Sequence, residues 1–97
     1  MQPSSPPPLD FAKVEALRTH MLLTAAQMGK LIGVSRVTYG GWVKGKPIRK
    51  GNDAKLRAAL RKMFKVIEDH QWPAPNVIAM NYPQRFEVLL ELMGEGE

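Results

Sequence analysis

The sequence predicts an all-α fold of about four helices followed by a C-terminal extended segment and a last helix. Two observations carry that expectation. Leu56, Ala59, Leu60, Met63, Phe64 and Ile67 stand at i, i+3, i+4, i+7, i+8 and i+11, the period of a helix that buries one face. Upstream, capping residues and glycine stops alternate at the interval of short helices: Thr24 with Gln27, then Gly33, then Ser35, then Gly45.

Residues 1–9, rich in proline and serine, read as a flexible arm. Asp10 caps a first helix from Phe11 to about His20, with Phe11, Val14, Leu17 and Met21 at helical spacing. Thr24 and Gln27 then form a capping-box pattern before Met28, Leu31 and Ile32, and Gly33 ends that second helix. Ser35 caps a third helix running to Val43 or Lys44, with Gly45 placed for a left-handed stop and Pro47 beyond it. Two adjacent glycines, Gly40 and Gly41, lie inside this helix. Each costs about 0.8–1 kcal/mol relative to alanine.

KGKPIRKGN reads as a basic, non-helical loop, and the fourth helix begins near Asn52. It ends before Trp72-Pro73-Ala74-Pro75, whose prolines cannot continue it. Val77-Ile78-Ala79-Met80 is short enough for a strand or an extended packing segment, and Tyr82-Pro83 opens a final helix to about Met93. Phe86, Leu89, Leu90 and Met93 share one face of it, with Val88 and Leu92 extending the apolar surface. So apolar a helix on so small a chain raises a self-association surface. The expected organisation is thus an arm (1–9), a helical domain (10–70) and a C-terminal dimerisation extension (71–97). Its dimer contacts are expected at Val77, Ile78, Met80, Phe86, Leu89, Leu90 and Met93.

Charge is distributed unevenly along the 97 residues. Residues 1–29 carry two basic and two acidic side chains, 30–65 eleven and one, and 66–97 one and six, giving 0, +10 and −5. A midsection so basic is an electrostatic footprint for nucleic acid, although a basic face also serves plain solubility. Cysteine is absent, which removes disulfides, a thiolate nucleophile and zinc–thiolate sites. His20 and His70 have no metal-ligand spacing, the serines have no triad partners, and no glycine-rich phosphate loop follows a strand. No enzyme, cofactor, metal or small-molecule ligand is therefore expected. Neither a signal-peptide pattern nor a long apolar run occurs, so the expected location is the cytoplasm, at the nucleoid, with no membrane partner.

From Leu23 to Lys46 the chain resembles the helix-turn-helix of the phage-repressor and Cro type, the XRE family. The resemblance is carried by Leu23-Thr24, Gly29, Ile32-Gly33-Val34-Ser35, Thr38-Tyr39, Trp42 and Gly45-Lys46, without a gap. Mechanically, a small residue at 29 lets two helices cross closely, and Gly33 takes the positive φ of the turn. Met28, Ile32, Val34, Tyr39 and Trp42 then supply a buried seam. Tyr39 and Trp42, at i and i+3, fit the core better than base stacking.

The resemblance implies that Arg36–Lys44 is a recognition helix lying in the major groove of double-stranded DNA. With Tyr39, Trp42 and Val43 inward, Arg36, Val37, Gly40, Gly41 and Lys44 face the DNA. Arg36 is then positioned to donate twice to guanine, or to bind phosphate alone; Val37 packs on a thymine methyl or is merely exposed. Thr24, Gln27, Thr38, Lys44, Lys46, Arg49 and Lys50 are the expected backbone contacts, though each lysine is equally an ordinary surface charge. The ridge Arg57, Arg61 and Lys65 reads as a solvated helix face or a further backbone contact. Two departures stand out: Ala25 replaces a glutamine common in the family, and positions 40 and 41 lack polar readers. Specificity should then lean more on DNA shape and half-site spacing.

The function so implied is a transcriptional regulator, a repressor or autoregulator of bacterial or phage type, binding an inverted repeat as a homodimer. Two alternatives stay open: an interaction module or inhibitor that keeps the fold without reading bases, and an oligomeric phage DNA-packaging protein of small-terminase type.

Overall fold

A computed structural model of the chain describes residues 10–95, the side chain of Glu95 excepted. Residues 1–9, expected to form the arm, lie outside the described residues, as do the last two residues of the C-terminal extension. Six helices are described: α1 (Phe11–His20), α2 (Ala25–Ile32), α3 (Arg36–Val43), α4 (Lys50–His70), α5 (Pro75–Ile78) and α6 (Tyr82–Glu95). None is long and apolar enough to cross a membrane.

Local chemistry sets the boundaries of α1 to α3 much as expected. Asp10 accepts from the Ala12 N–H at 3.1 Å, and the reciprocal capping box of Thr24 and Gln27 closes at 3.0 and 3.1 Å. At the end of α1, Leu22 takes the left-handed conformation (φ 63°) while the Leu23 N–H reaches back to the Arg18 carbonyl at 3.2 Å. Gly33 (φ 96°) does the same for α2, with the Val34 N–H on the Gly29 carbonyl at 2.9 Å.

The chain departs from expectation in α4 and beyond. Helix α4 begins at Lys50, two residues before Asn52. The Asp53 N–H closes the first turn on the Arg49 carbonyl at 2.8 Å, and Asp53 sits where the helix dipole favours an acid. Leu56, Ala59, Met63 and Val66 form its buried stripe; Leu60 and Ile67 are only half-buried and Phe64, expected inside, is 54% exposed. Phe64 lies on the flank of the wheel, beyond the edge of what α2 and α6 cover.

Val77–Met80 is not extended. Pro75 opens a single helical turn, in which the Val77 and Ile78 N–H groups bond to the Ala74 carbonyl at 3.0 and 3.2 Å. No strand among the described residues is available to pair with such a segment, so its backbone groups satisfy one another locally. Helix α6 follows, opened by a second capping box between Asn81 and Gln84 (3.0 and 3.4 Å) that the sequence reading did not include.

One core joins all six helices. Val14, Leu17 and Met21 of the α1 region, Met28 and Ile32 of α2, Tyr39 and Trp42 of α3, the α4 stripe, Trp72, Val77, Leu89 and Met93 belong to a single buried cluster. Residues 71–95 therefore complete the core rather than stand apart from it. Polar ties fix them: the Trp72 indole N–H donates to the Met21 carbonyl at 3.0 Å, and the Arg85 guanidinium donates to the carbonyls of Val77 (2.8 Å), Ile78 (3.3 Å), Met80 and Leu22 (3.4 Å).

Candidate nucleic-acid interface

Helices α2 and α3 are joined by Gly33, Val34 and Ser35 alone, and Gly29 is where the unit is tightest. A Cβ there would lie 3.0 Å from the Val34 carbonyl oxygen and 3.3 Å from that of Ser35. The small residue thus makes room for the turn's backbone. Ser35 caps α3, accepting from the Thr38 N–H at 3.0 Å and donating to the Thr38 hydroxyl at 3.0 Å. Gly45 (φ 100°) ends α3 in a Schellman arrangement, with its N–H on Trp42 O at 3.0 Å and the Lys46 N–H on Gly41 O at 2.9 Å.

Eight residues with two internal glycines are too few to hold a helix by propensity alone. The inner face supplies the stability. Tyr39 and Trp42 are buried and meet Phe11 in a three-ring cluster, with centroids 5.4 to 6.2 Å apart. Behind them, the Tyr39 hydroxyl donates to Glu15 of α1, and Arg18 grips the same carboxylate through two bonds of 2.8 and 3.0 Å while donating to the Leu23 carbonyl at 2.8 Å. Arg18 holds the Glu15 carboxyl below its ordinary pKa, chiefly by hydrogen bonding, with the Tyr39 hydroxyl adding to the effect. Burial first, and then Glu15, push the Tyr39 phenol upward, so it stays a neutral donor. Both aromatic residues are thus core, not base-stacking groups.

The outer face of α3 carries Arg36, Val37, Gly40, Gly41 and Lys44. Val37 is 84% exposed and Arg36 and Lys44 are exposed. Gly40 faces open space: apart from its own helix backbone, no heavy atom lies within 4 Å of where a Cβ would stand. Gly41 differs, since its Cβ would lie 3.1 Å from Cδ of Lys46, whose stem lies along the bare backbone. Lys46, Arg49 and Lys50 are exposed on the following segment. An open groove runs between α3 and this segment, walled by Val37, Thr38 and Gly41 on one side and Lys46, Ile48 and Arg49 on the other.

Two expected residues stand differently. Val43 points outward and is exposed, being one position past the inner seam of Tyr39 and Trp42. Gln27 is committed within the chain: its carbonyl accepts from the Thr24 N–H, and its amide donates to the Tyr82 carbonyl at 3.1 Å. It holds α6 against α2 instead of reaching out to phosphate. Thr24 remains half-buried, its hydroxyl accepting from the Gln27 N–H.

Asn52 also lines the groove and was not among the expected contacts. Its place in the same basic segment as Arg49 and Lys50 was the available signal. Of the expected dimer residues, Val77, Leu89 and Met93 are buried in the chain's own core, because α5 and α6 close over α4; Ile78 and Leu90 are exposed, and Met80 and Phe86 half-buried. No family model, curated protein or solved structure matches the chain.

Proposed function

We propose that the chain is a sequence-specific regulator of transcription, of bacterial or phage type, that binds an inverted repeat in double-stranded DNA as a homodimer and represses by occluding a promoter. One observation carries this reading. Helix α3 is fixed from within by Tyr39 and Trp42, while its opposite face offers an exposed Arg36 and Val37, a bare backbone at Gly40 and a rim of Lys44, Lys46, Arg49 and Lys50. An arginine at the N-terminal end of a helix suits guanine O6 and N7 in a major groove, and the surrounding cations suit phosphates. Gly40 lets the helix backbone approach the bases closely where a side chain would hold it off, and Gly41 makes room for the Lys46 stem.

A second reading, an interaction module that keeps the fold without reading bases, draws on the same glycines, because they leave only Arg36 and Val37 as side-chain readers. Selection of bound fragments from random duplex DNA at physiological salt separates the two. A palindromic consensus is the expected result; binding without enrichment that vanishes on modest added salt supports the module.

A further inference from the structure

Helix α6 shows an apolar stripe that the core absorbs only in part, Phe86 packing against it while the residues on either side stay exposed. Tyr82, Phe86 and Leu90 recur every four residues; Tyr82 is 51% and Leu90 46% exposed, and Ile78 of α5 is 56% exposed. Beside this stripe runs an open groove between α2 and α6, formed by Ala26 and Lys30 on one wall and Pro83, Phe86, Glu87 and Leu90 on the other. The bond from the Gln27 amide to the Tyr82 carbonyl fixes the spacing of the two helices at one end. None of the α3 residues facing outward lines this groove.

We infer that this groove is where two copies of the chain meet, about a two-fold axis running along it. The inference rests on the reading of the protein as a homodimer and adds the surface and the pairing. A two-fold contact requires a patch complementary to itself. The groove meets that condition in charge, because its α2 wall carries Lys30 and its α6 wall carries Glu87, both exposed, with Phe86 and Leu90 supplying apolar surface on the α6 wall beside Glu87. With the axis along the groove, each wall faces the opposite wall of the other copy. Lys30 then meets the partner's Glu87 twice over, and the apolar α6 wall of each copy is covered by the α2 wall of the other. An axis across the groove would set lysine against lysine and glutamate against glutamate, which selects the first arrangement.

The test uses the full chain without DNA, read by sedimentation equilibrium with helicity checked by circular dichroism. The wild type should sediment at twice 10.9 kDa. Lys30→Glu and Glu87→Lys should each raise the dimer dissociation constant about a hundredfold or more, because each sets like charges together at both contacts. An equimolar mixture of the two variants should recover a dimer, since each inter-chain pair is again of opposite sign. Repulsion within one chain would not be relieved by mixing, so recovery reports the contact between copies. A monomeric wild type, single variants that stay dimeric, or a mixture that stays monomeric overturns the proposal. Selection from random DNA, run in parallel, keeps the two readings distinct. A dimer that recovers this mixing behaviour but enriches no sequence supports the interface and removes the regulator, whereas a monomer that enriches a single half-site removes the homodimer and its interface and leaves base reading in place.

Discussion

The hydroxyl of Tyr39, on the inner face of α3, donates to the Glu15 carboxylate of α1, and through it reaches the bidentate grip of Arg18. The outer face of α3 is therefore positioned from behind by an ionised group. Because Glu15 titrates lower in the folded chain than its ordinary 4.5, its contribution is complete above that value and is lost as pH falls through the folded pKa. The thermal midpoint of the wild type should thus fall below about pH 4.5, and that of Glu15→Gln should fall less over the same window. Parallel profiles for the two proteins would show that the carboxylate is not what holds α3.

The open space at Gly40 predicts that stability and binding diverge there. A methyl group in a helix that nothing else approaches should raise stability by about 0.5–1 kcal/mol, through a less flexible unfolded chain and better helix propensity. DNA affinity should drop if the bare backbone lies close to bases. Urea denaturation and a binding titration of Gly40→Ala measure both, and unchanged affinity would mean that the glycine serves no groove contact. At Gly29 the opposite holds: Gly29→Val presses on the carbonyls of Val34 and Ser35, and overpacking of this kind costs about 1–3 kcal/mol.

What the sequence made legible was what neighbours in the chain decide. Ser35 with Thr38, Thr24 with Gln27, and the positive φ at Gly33 and Gly45 are bonds and dihedrals closed within five residues, and all were readable. Less readable was anything set by distant partners. Whether Val77–Met80 became strand or helical turn depended on the absence of a strand to pair with, and whether Phe64 or Val66 entered the core depended on how far round α4 its neighbours reach. Arg85, the one lysine or arginine after Lys65, has no role assigned to it by the sequence pattern. Its acceptors are backbone carbonyls, one of them at Leu22, 63 residues away, and carbonyls leave no trace in a residue pattern.

Arg85 should accordingly be a stability determinant. Its guanidinium answers carbonyls left open at the ends of α1 and α5, and bonds from a charged donor are each worth about 1.5–3 kcal/mol. Arg85→Ala should lower the unfolding free energy by about 2–4 kcal/mol, allowing for carbonyls that water can reach. Arg85→Lys should recover less than half, since an ammonium cannot span a fork of acceptors. Denaturant melts settle the order, and a lysine variant equal to wild type would mean that charge alone suffices.

Gln71 ends α4 in the left-handed region, with φ 51°, and is exposed. A side chain there carries strain of about 1–2 kcal/mol, offset on replacement by the greater freedom of an unfolded glycine, about 0.5–1. Gln71→Gly should therefore stabilise the fold by up to about 1 kcal/mol in chemical denaturation, whereas a loss would mean that the Gln71 side chain supports the α4–α5 corner.

Arg36 and Lys46 should separate base reading from backbone positioning. Arg36 stands at the exposed N-terminal end of α3, where two donors can address one guanine edge; Lys46 lies along Gly41 with its stem held and its ammonium free to meet phosphate. Arg36→Ala should cost about 1–3 kcal/mol on the selected site and relax preference at one position of each half-site. Lys46→Ala should weaken all sequences alike and reduce the slope of log affinity against log salt by about one per protomer. Gly41→Ala supplies a control within the same contact, because its Cβ displaces the Lys46 stem while leaving the lysine charge in place. It should move affinity in the direction of Lys46→Ala without altering base preference. Equal effects of the Arg36 and Lys46 variants on every sequence would collapse the two roles into one, and α3 would then be a phosphate-binding helix rather than a reader of bases.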